Sequence, residues 1–460
     1  MSKLKIHDSD NVVVETETGF KEALTDIKKG EAVIKYGLPI GFAFMDISKG
    51  ERVHTNNMKT GLTEHVEYDF RGAMPLPPVS ESEYSFLGYK RADGKVGIRN
   101  DIWIIPTVGC VNKVAEKLAA ECDCFAFTHP YGCSQLGDDH EITRLILSGL
   151  AHNPNAGGVL ILALGCENNT MEKFKPLVED CDQERIRYLI CQEAEDEIAE
   201  GKRLISELKE RASQDVRKEF PLSKLTVGLK CGGSDGYSGI TANPLVGRFS
   251  DFLTSVGGSV VLTEVPEMFG AETLLMKRAI SKQVFDDIVD LINNYKEYFV
   301  RHGQTVYENP SPGNLAGGIT TLEDKSLGCT QKSGSSPVVG VLGYGDRVDG
   351  RGLWLLDGPG NDMVAITNLT AAGCNLILFT TGRGTPLGAP VPTLKISSNS
   401  TLTKNKPGWI DFDASGVLDG DLEIDECFLK KVISVASGEM TRNEMNGYRE
   451  ISIFKDGVVL

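Results

Sequence analysis

No stretch of the 460 residues is apolar for long enough to cross a bilayer, and the opening MSKLKIHDSD lacks the hydrophobic segment of a secretion signal. The expected compartment is the cytoplasm, with no membrane partner. No run of Lys and Arg relieves a formal net charge of −16 and a pI of about 5.0, which argues against a nucleic-acid or anionic-lipid surface. None of the eleven cysteines forms a C-x-x-C pair, so a structural zinc knuckle is disfavoured. Nor do they show the dense spacing of a disulfide scaffold; they read as thiols, some of them metal ligands. A Walker A pattern is absent, and no G-x-G-x-x-G follows an early strand, so neither a nucleotide phosphate loop nor dinucleotide binding is indicated.

The composition present is that of a soluble globular chain, 41% apolar and 24% charged, too long for one ordinary core. Residues 23–33, ALTDIKKGEAV, repeat at 43–53 as AFMDISKGERV. Each copy reads as strand, turn and strand, predicting a small all-β domain over 1–72. Proline, serine and glutamate crowd MPLPPVSESEYSF, so 73–87 reads as a linker. Beyond it, β-rich apolar runs alternate with helical patterns, the signature of α/β domains with largely parallel sheets. A middle domain over 88–222 and a C-terminal domain over 223–460 are expected.

Several of these strands run into the same kind of loop. DIWIIPTV leads to Gly109-Cys110, CFAFT to His129 and Gly132-Cys133, GVLILAL to Gly165-Cys166, LTVGLK to Cys231-Gly232-Gly233-Ser234-Asp235, and NLILFTT to Gly382-Arg383. Ligand crevices of open α/β sheets lie beyond the carboxyl ends of the strands, where glycine lets the backbone approach closely. A cysteine with no role but packing belongs inside an element. Cys133, Cys166 and Cys231 therefore read as functional. Cys110, at an expected helix start, is balanced between packing and function, and Cys329 is undecided. Cys374 reads as packing, and Cys122, Cys124, Cys181, Cys191 and Cys427 as core or incidental. His54, His129 and His140 stand in the special loops, whereas His7, His65, His152 and His302 read as surface or turn residues. Lys325 and Lys332 are the cations of a Gly-, Pro- and Ser-rich stretch at 307–336, and TTGRGTP suits a carboxylate gripped by Arg383. Thiolates, imidazole and carboxylates at one crevice suggest a soft transition metal acting on a small anion. Hydrolysis, elimination and redox chemistry remain open on this reading alone.

The strings IRNDIWIIPTVGCVN, HPYGCSQLGDDH, LGCENN, CGGSDGYSGITANP, TEVPEMFGAE, NPSPGNLAGGITTLEDKSLGC and TTGRGTP resemble the altronate dehydratase family of sugar-acid dehydratases, from about residue 88 to the C-terminus. Galactarate dehydratase and the sulfolactate sulfo-lyase belong to the same group. IKYGLPIGFAFMDISKGERVHTNN is similar to the family's small SAF (β-clip) domain, although the chain before ALTDIKKG is shorter than is usual there. The resemblance implies an iron(II) dehydratase; Mn2+ is an alternative, and the spread-out cysteines could equally hold an iron–sulfur cluster with one iron left open to substrate. It would convert D-altronate to 2-keto-3-deoxy-D-gluconate and water. On that footing Cys133, Cys166, Cys231 and His54 are the expected metal ligands. His129 is the expected acid–base group, with Lys325 and Lys332 as rivals. Arg383, Thr381 and Thr385 would grip the substrate carboxylate, and Ser234, Asp235 and Asn243 its hydroxyls. The expected partner is a small sugar acid, and a homo-oligomer is left open. The alternatives are galactarate or sulfolactate as substrate or, in a different class, a thiol metal store or redox sensor without turnover.

Overall fold

The computed structural model describes residues 3–62 and 67–457; His65 lies outside them. Near the N-terminus two antiparallel sheets are formed. One runs Lys3–Leu4, Val12–Glu15, Lys21–Ala23, Arg52–Val53; the other Ala32–Lys35, Leu38–Ala43, Met58–Lys59. The internal repeat explains their closure. Its two copies meet at a bridge between Ile27 and Ile47, and each turn is capped by the other copy's aspartate. Lys29 N–H donates to Asp46 at 2.9 Å and Lys49 N–H to Asp26 at 2.8 Å. The small core, built on Val12, Ile27, Val33, Ile40 and Val53, also takes in Ala271 and Leu327. This unit is thus packed as part of the larger body.

The middle domain carries a parallel sheet in the order Phe125–Ala126, Asp101–Pro106, Ala156–Ala163, Ile186–Ile190. The C-terminal domain carries seven parallel strands: Val338–Leu342, Gly352–Leu356, Ser259–Leu262, Thr226–Cys231, Leu376–Thr381, Thr393–Ser397, Phe412–Asp413. Sheets covered on both faces need strands that are apolar throughout, which is why these runs are legible as continuous stretches. Thr393–Ser397 escapes that logic because its central Lys395 is buried against the Phe379 ring.

Residues 67–84 have no regular structure but are tied along the C-terminal domain, with Met74 N–H to Ala279 O and Ser80 N–H to Ser255 O. Ser85–Lys90 is a strand that begins within the last three residues of the expected linker, pairing with Lys218–Pro221 and burying Phe86 in the C-terminal core. In both parallel sheets chain order reverses about one strand. Thr226–Cys231 separates the two directions in the C-terminal sheet, and Asp101–Pro106 does so in the middle one. These switch points are where open α/β sheets place their ligands.

Candidate active site

At the C-terminal switch point the central strand ends in Lys230-Cys231, and both side chains are buried. Around them converge Glu264 and Glu267 from the turn after Ser259–Leu262, and Lys325, Cys329 and Lys332 from the helix Leu322–Cys329 and the turn after it. All are at least nine-tenths buried. Lys230 Nζ contacts Glu264 and lies 2.7 Å from Asp362; Lys325 Nζ lies 2.7 Å from Glu267, and Lys332 Nζ 3.9 Å from Glu264. Unpaired, any of these charges would be very costly to bury; together they compensate one another. Glu264 also accepts the Cys231 N–H at 3.0 Å, from a left-handed backbone with φ of +69°. Non-glycine residues rarely adopt that conformation, and such strain collects at functional sites.

The thiols are set unequally. A hydrogen bond from Cys329 and the nearby Lys332 ammonium hold the Cys231 thiol well below its ordinary range, against burial, while Cys329 is pushed up. Ser234 Oγ sits 2.5 Å from Cys231 Sγ. The carboxyls are unequal too. Burial and the neighbouring Glu267 raise Glu264, while Lys325 leads the cations that hold Glu267 low against its own burial. Cys231 Sγ, Cys329 Sγ and a Glu267 oxygen lie within 4.8 Å of one another. Glu267 Oε2 is buried without a hydrogen-bond partner among the described residues. Two sulfurs and one orphaned carboxylate oxygen suit a borderline-soft ion such as iron(II) or zinc rather than calcium.

The structure redistributes the residues singled out in the sequence. Cys231, Ser234, Lys325 and Lys332 meet here, joined by Lys230, Glu264, Glu267 and Cys329, which sequence reasoning missed or left undecided. Cys133 and Cys166 do not join them: both are exposed on middle-domain loops, and the Cys231 group includes neither. His54 also stands apart, with Nδ1 3.0 Å from Thr55 Oγ1 and Nε2 3.1 Å from Leu315 O, which helps seat the N-terminal unit.

His129 is corrected outright as an acid–base group. Its Nε2 lies 2.8 Å from Pro106 O and its Nδ1 accepts the Tyr131 N–H at 3.2 Å, so backbone occupies both nitrogens. Burial lowers its pKa to about 4. Between about pH 4 and 6.5 the unfolded chain binds the proton that the folded chain refuses, so stability must fall as acid is added across that window. The expected loss is up to about 3 kcal/mol, and His129→Gln should flatten it in denaturant melts taken at pH 4.5 and 7. Equal slopes in the two proteins would contradict this.

Asp235 is likewise saturated. It accepts from Ser238 and Ser398 hydroxyls at 2.9 and 2.8 Å, from Tyr237 and Ser238 N–H, and from Asn399 Nδ2 at 2.9 Å. Asn243 is spent on Gly328 O and the Thr380 hydroxyl. Thr381 Oγ1 accepts the Gly384 N–H, and Thr385 Oγ1 the Leu387 N–H. These residues shape the crevice and have little left to offer a sugar. Arg383 differs: its N–H donates to Gly233 O, but its exposed guanidinium has no ion pair among the described residues.

Three family models match in order: the altronate/galactarate dehydratase SAF domain at 15–61, the D-galactarate dehydratase/altronate hydrolase second domain at 88–213, and the D-galactarate/altronate dehydratase C-terminal domain at 222–459. The chain is 49% identical to an altronate dehydratase of Bacillus subtilis (strain 168) and 48% identical to that of Escherichia coli (strain K12), each over 100% of both chains. A galactarate dehydratase (L-threo-forming) of Escherichia coli (strain K12) is 31% identical over 95% of this chain and 93% of its own. No described helix is long and apolar enough to cross a membrane. The chain belongs to the altronate/galactarate dehydratase family and is a hydro-lyase of the sugar-acid dehydratase kind.

Proposed function

We propose that this hydro-lyase dehydrates D-altronate to 2-keto-3-deoxy-D-gluconate at the crevice of the C-terminal sheet. The observation that carries the reading is the buried group of three lysines, two glutamates and two cysteines at the end of the central strand. The full-length likeness to two altronate dehydratases, against 31% identity to a galactarate dehydratase, favours altronate as substrate.

The reaction removes a weakly acidic proton from C2 and expels hydroxide from C3, so it needs fixed positive charge where the enediolate forms and a proton for the leaving oxygen. In this reading Arg383 holds the substrate carboxylate at the mouth of the crevice. The Lys332 ammonium meets the charge developing on C1 and C2, and Lys325 keeps Glu267 aligned. Cys231, Cys329 and Glu267 would hold iron(II), which when bound supplies Lewis acidity toward the substrate's oxygens. Collapse of the enol to the ketone then takes up a proton at C3 and releases one from the C2 hydroxyl, an exchange that water can carry.

The test is the iron-supplied protein offered D-altronate, galactarate and (2R)-sulfolactate separately, with products identified by mass. Loss of one water from D-altronate at the highest kcat/KM is expected. Preference for either other acid would overturn the substrate assignment, and turnover of none would overturn the reading.

A further inference from the structure

The middle domain repeats one arrangement three times. Phe125–Ala126, Asp101–Pro106 and Ala156–Ala163 are parallel neighbours, and beyond the carboxyl end of each comes a Gly-Cys pair: Gly132-Cys133, Gly109-Cys110 and Gly165-Cys166. Gly132 and Gly165 have φ of +98° and +128°, and a Cβ on Gly132 would lie 2.0 Å from Thr107 O. Only glycine permits these turns. The loops are tied to one another. Gly109 N–H donates to Tyr131 O at 2.8 Å, Asn169 N–H to Gly132 O at 3.0 Å, and Ser134 N–H to Asn168 Oδ1 at 2.9 Å. Buried Glu167 accepts from Thr107 Oγ1 at 2.7 Å and from the Gly165 N–H at 2.6 Å. All this bracing holds three exposed thiols on linked loops beyond neighbouring strands. A thiol without a task is a small apolar group and is normally buried.

Size decides what they hold. Neighbouring strands lie about 4.8 Å apart, so thiols carried by three of them spread over as much as about 10 Å. One tetrahedral ion, with metal–sulfur bonds of about 2.3 Å, keeps its sulfurs within about 4.6 Å of one another. These three do not form a group within 4.8 Å, unlike Cys231, Glu267 and Cys329. A larger thiolate-bound group matches that spread better than a single ion.

We propose that Cys110, Cys133 and Cys166 hold an iron–sulfur cluster of the four-iron, four-sulfide type, with one iron lacking a cysteine and facing solvent. Gln192 Nε2, 3.4 Å from Cys166 Sγ, is the hydrogen-bond donor that would tune it. The site is distinct from the Cys231 group and does not depend on the substrate reading.

The test is reconstitution of the full-length chain with iron(II) and sulfide under strict anaerobiosis, followed by desalting and by iron, acid-labile sulfide and visible absorption measurements. About four sulfides per chain are expected in the parent protein. Cys110→Ser, Cys133→Ser and Cys166→Ser should each retain under a tenth of that sulfide at an unchanged melting temperature, while Cys427→Ser, exposed on another helix, retains all of it. Parent protein without sulfide overturns the proposal, as does any of the three variants that keeps its full complement. If all three variants melt early, the same counts on alanine versions decide. No substrate enters these measurements, so they can fail while sugar-acid turnover stands, and the reverse.

Discussion

Asp324→Asn is expected to lower the melting temperature by roughly 10 °C. The carboxylate is 2.7 Å from Lys21 Nζ and 3.0 Å from Lys35 Nζ, and none of the three side chains is more than 3% exposed. Both lysines come from the N-terminal unit, and Asp324 from the helix beneath it. Thr320 adds its N–H and hydroxyl to the same oxygen. Asparagine would leave two ammonium groups in a dry interface without a counter-charge. Breaking a buried pair in this way costs about 3–5 kcal/mol. Adding Lys35→Met to the variant removes one stranded charge and should recover part of the loss. Scanning calorimetry of the parent and both variants checks the prediction; a shift below about 2 °C for Asp324→Asn would show that water reaches the interface.

The largest effect on activity is expected for Lys332→Met, a fall in kcat/KM of about a hundredfold to a thousandfold. Lys332 is 1% exposed, and its nearest ion-pair partner is 3.9 Å away. Its charge is therefore less committed to a neighbour than those of Lys230 and Lys325, which hold carboxylates at 2.7 Å. A cation of that kind can respond to charge that appears during the reaction. Lys332→Arg should recover little, because a buried site packed around one ammonium must be repacked to take the bulkier planar fork. Steady-state rates on D-altronate measure the effect, with a melting curve to confirm folding. A loss under tenfold in a folded Lys332→Met protein would remove Lys332 from the mechanism.

The parallel domains were legible because buried strands must be apolar end to end, and the repeat near the N-terminus announced its own pairing. Cys231 and Ser234 stood out in the sequence because a thiol among glycines and polar groups has little packing reason to be there, and the fold sets them beside the buried lysines and glutamates. Glu264 and Glu267 did not stand out, because nothing local to TEVPEMFGAE sets their carboxylates apart from surface ones. Their partners lie at residues 230, 325 and 332, and only the folded sheet brings these together. His129 and Asp235 misled for a different reason: imidazole and carboxylate look the same in sequence whether they face a substrate or are consumed by backbone. The Pro106 carbonyl and the Ser398 hydroxyl, which consume them, have no local signature.

The helix Leu322–Cys329 serves two masters within eight residues. Glu323 and Asp324 grip the N-terminal unit through Thr60, Gly61, Lys21 and Lys35, while Lys325 and Cys329 belong to the thiol group. So short a rod cannot tilt at one end and stay still at the other. Grafting a different β-clip onto this body would therefore have to bring its own version of this helix, and sequence drift on either side must be answered across the seam.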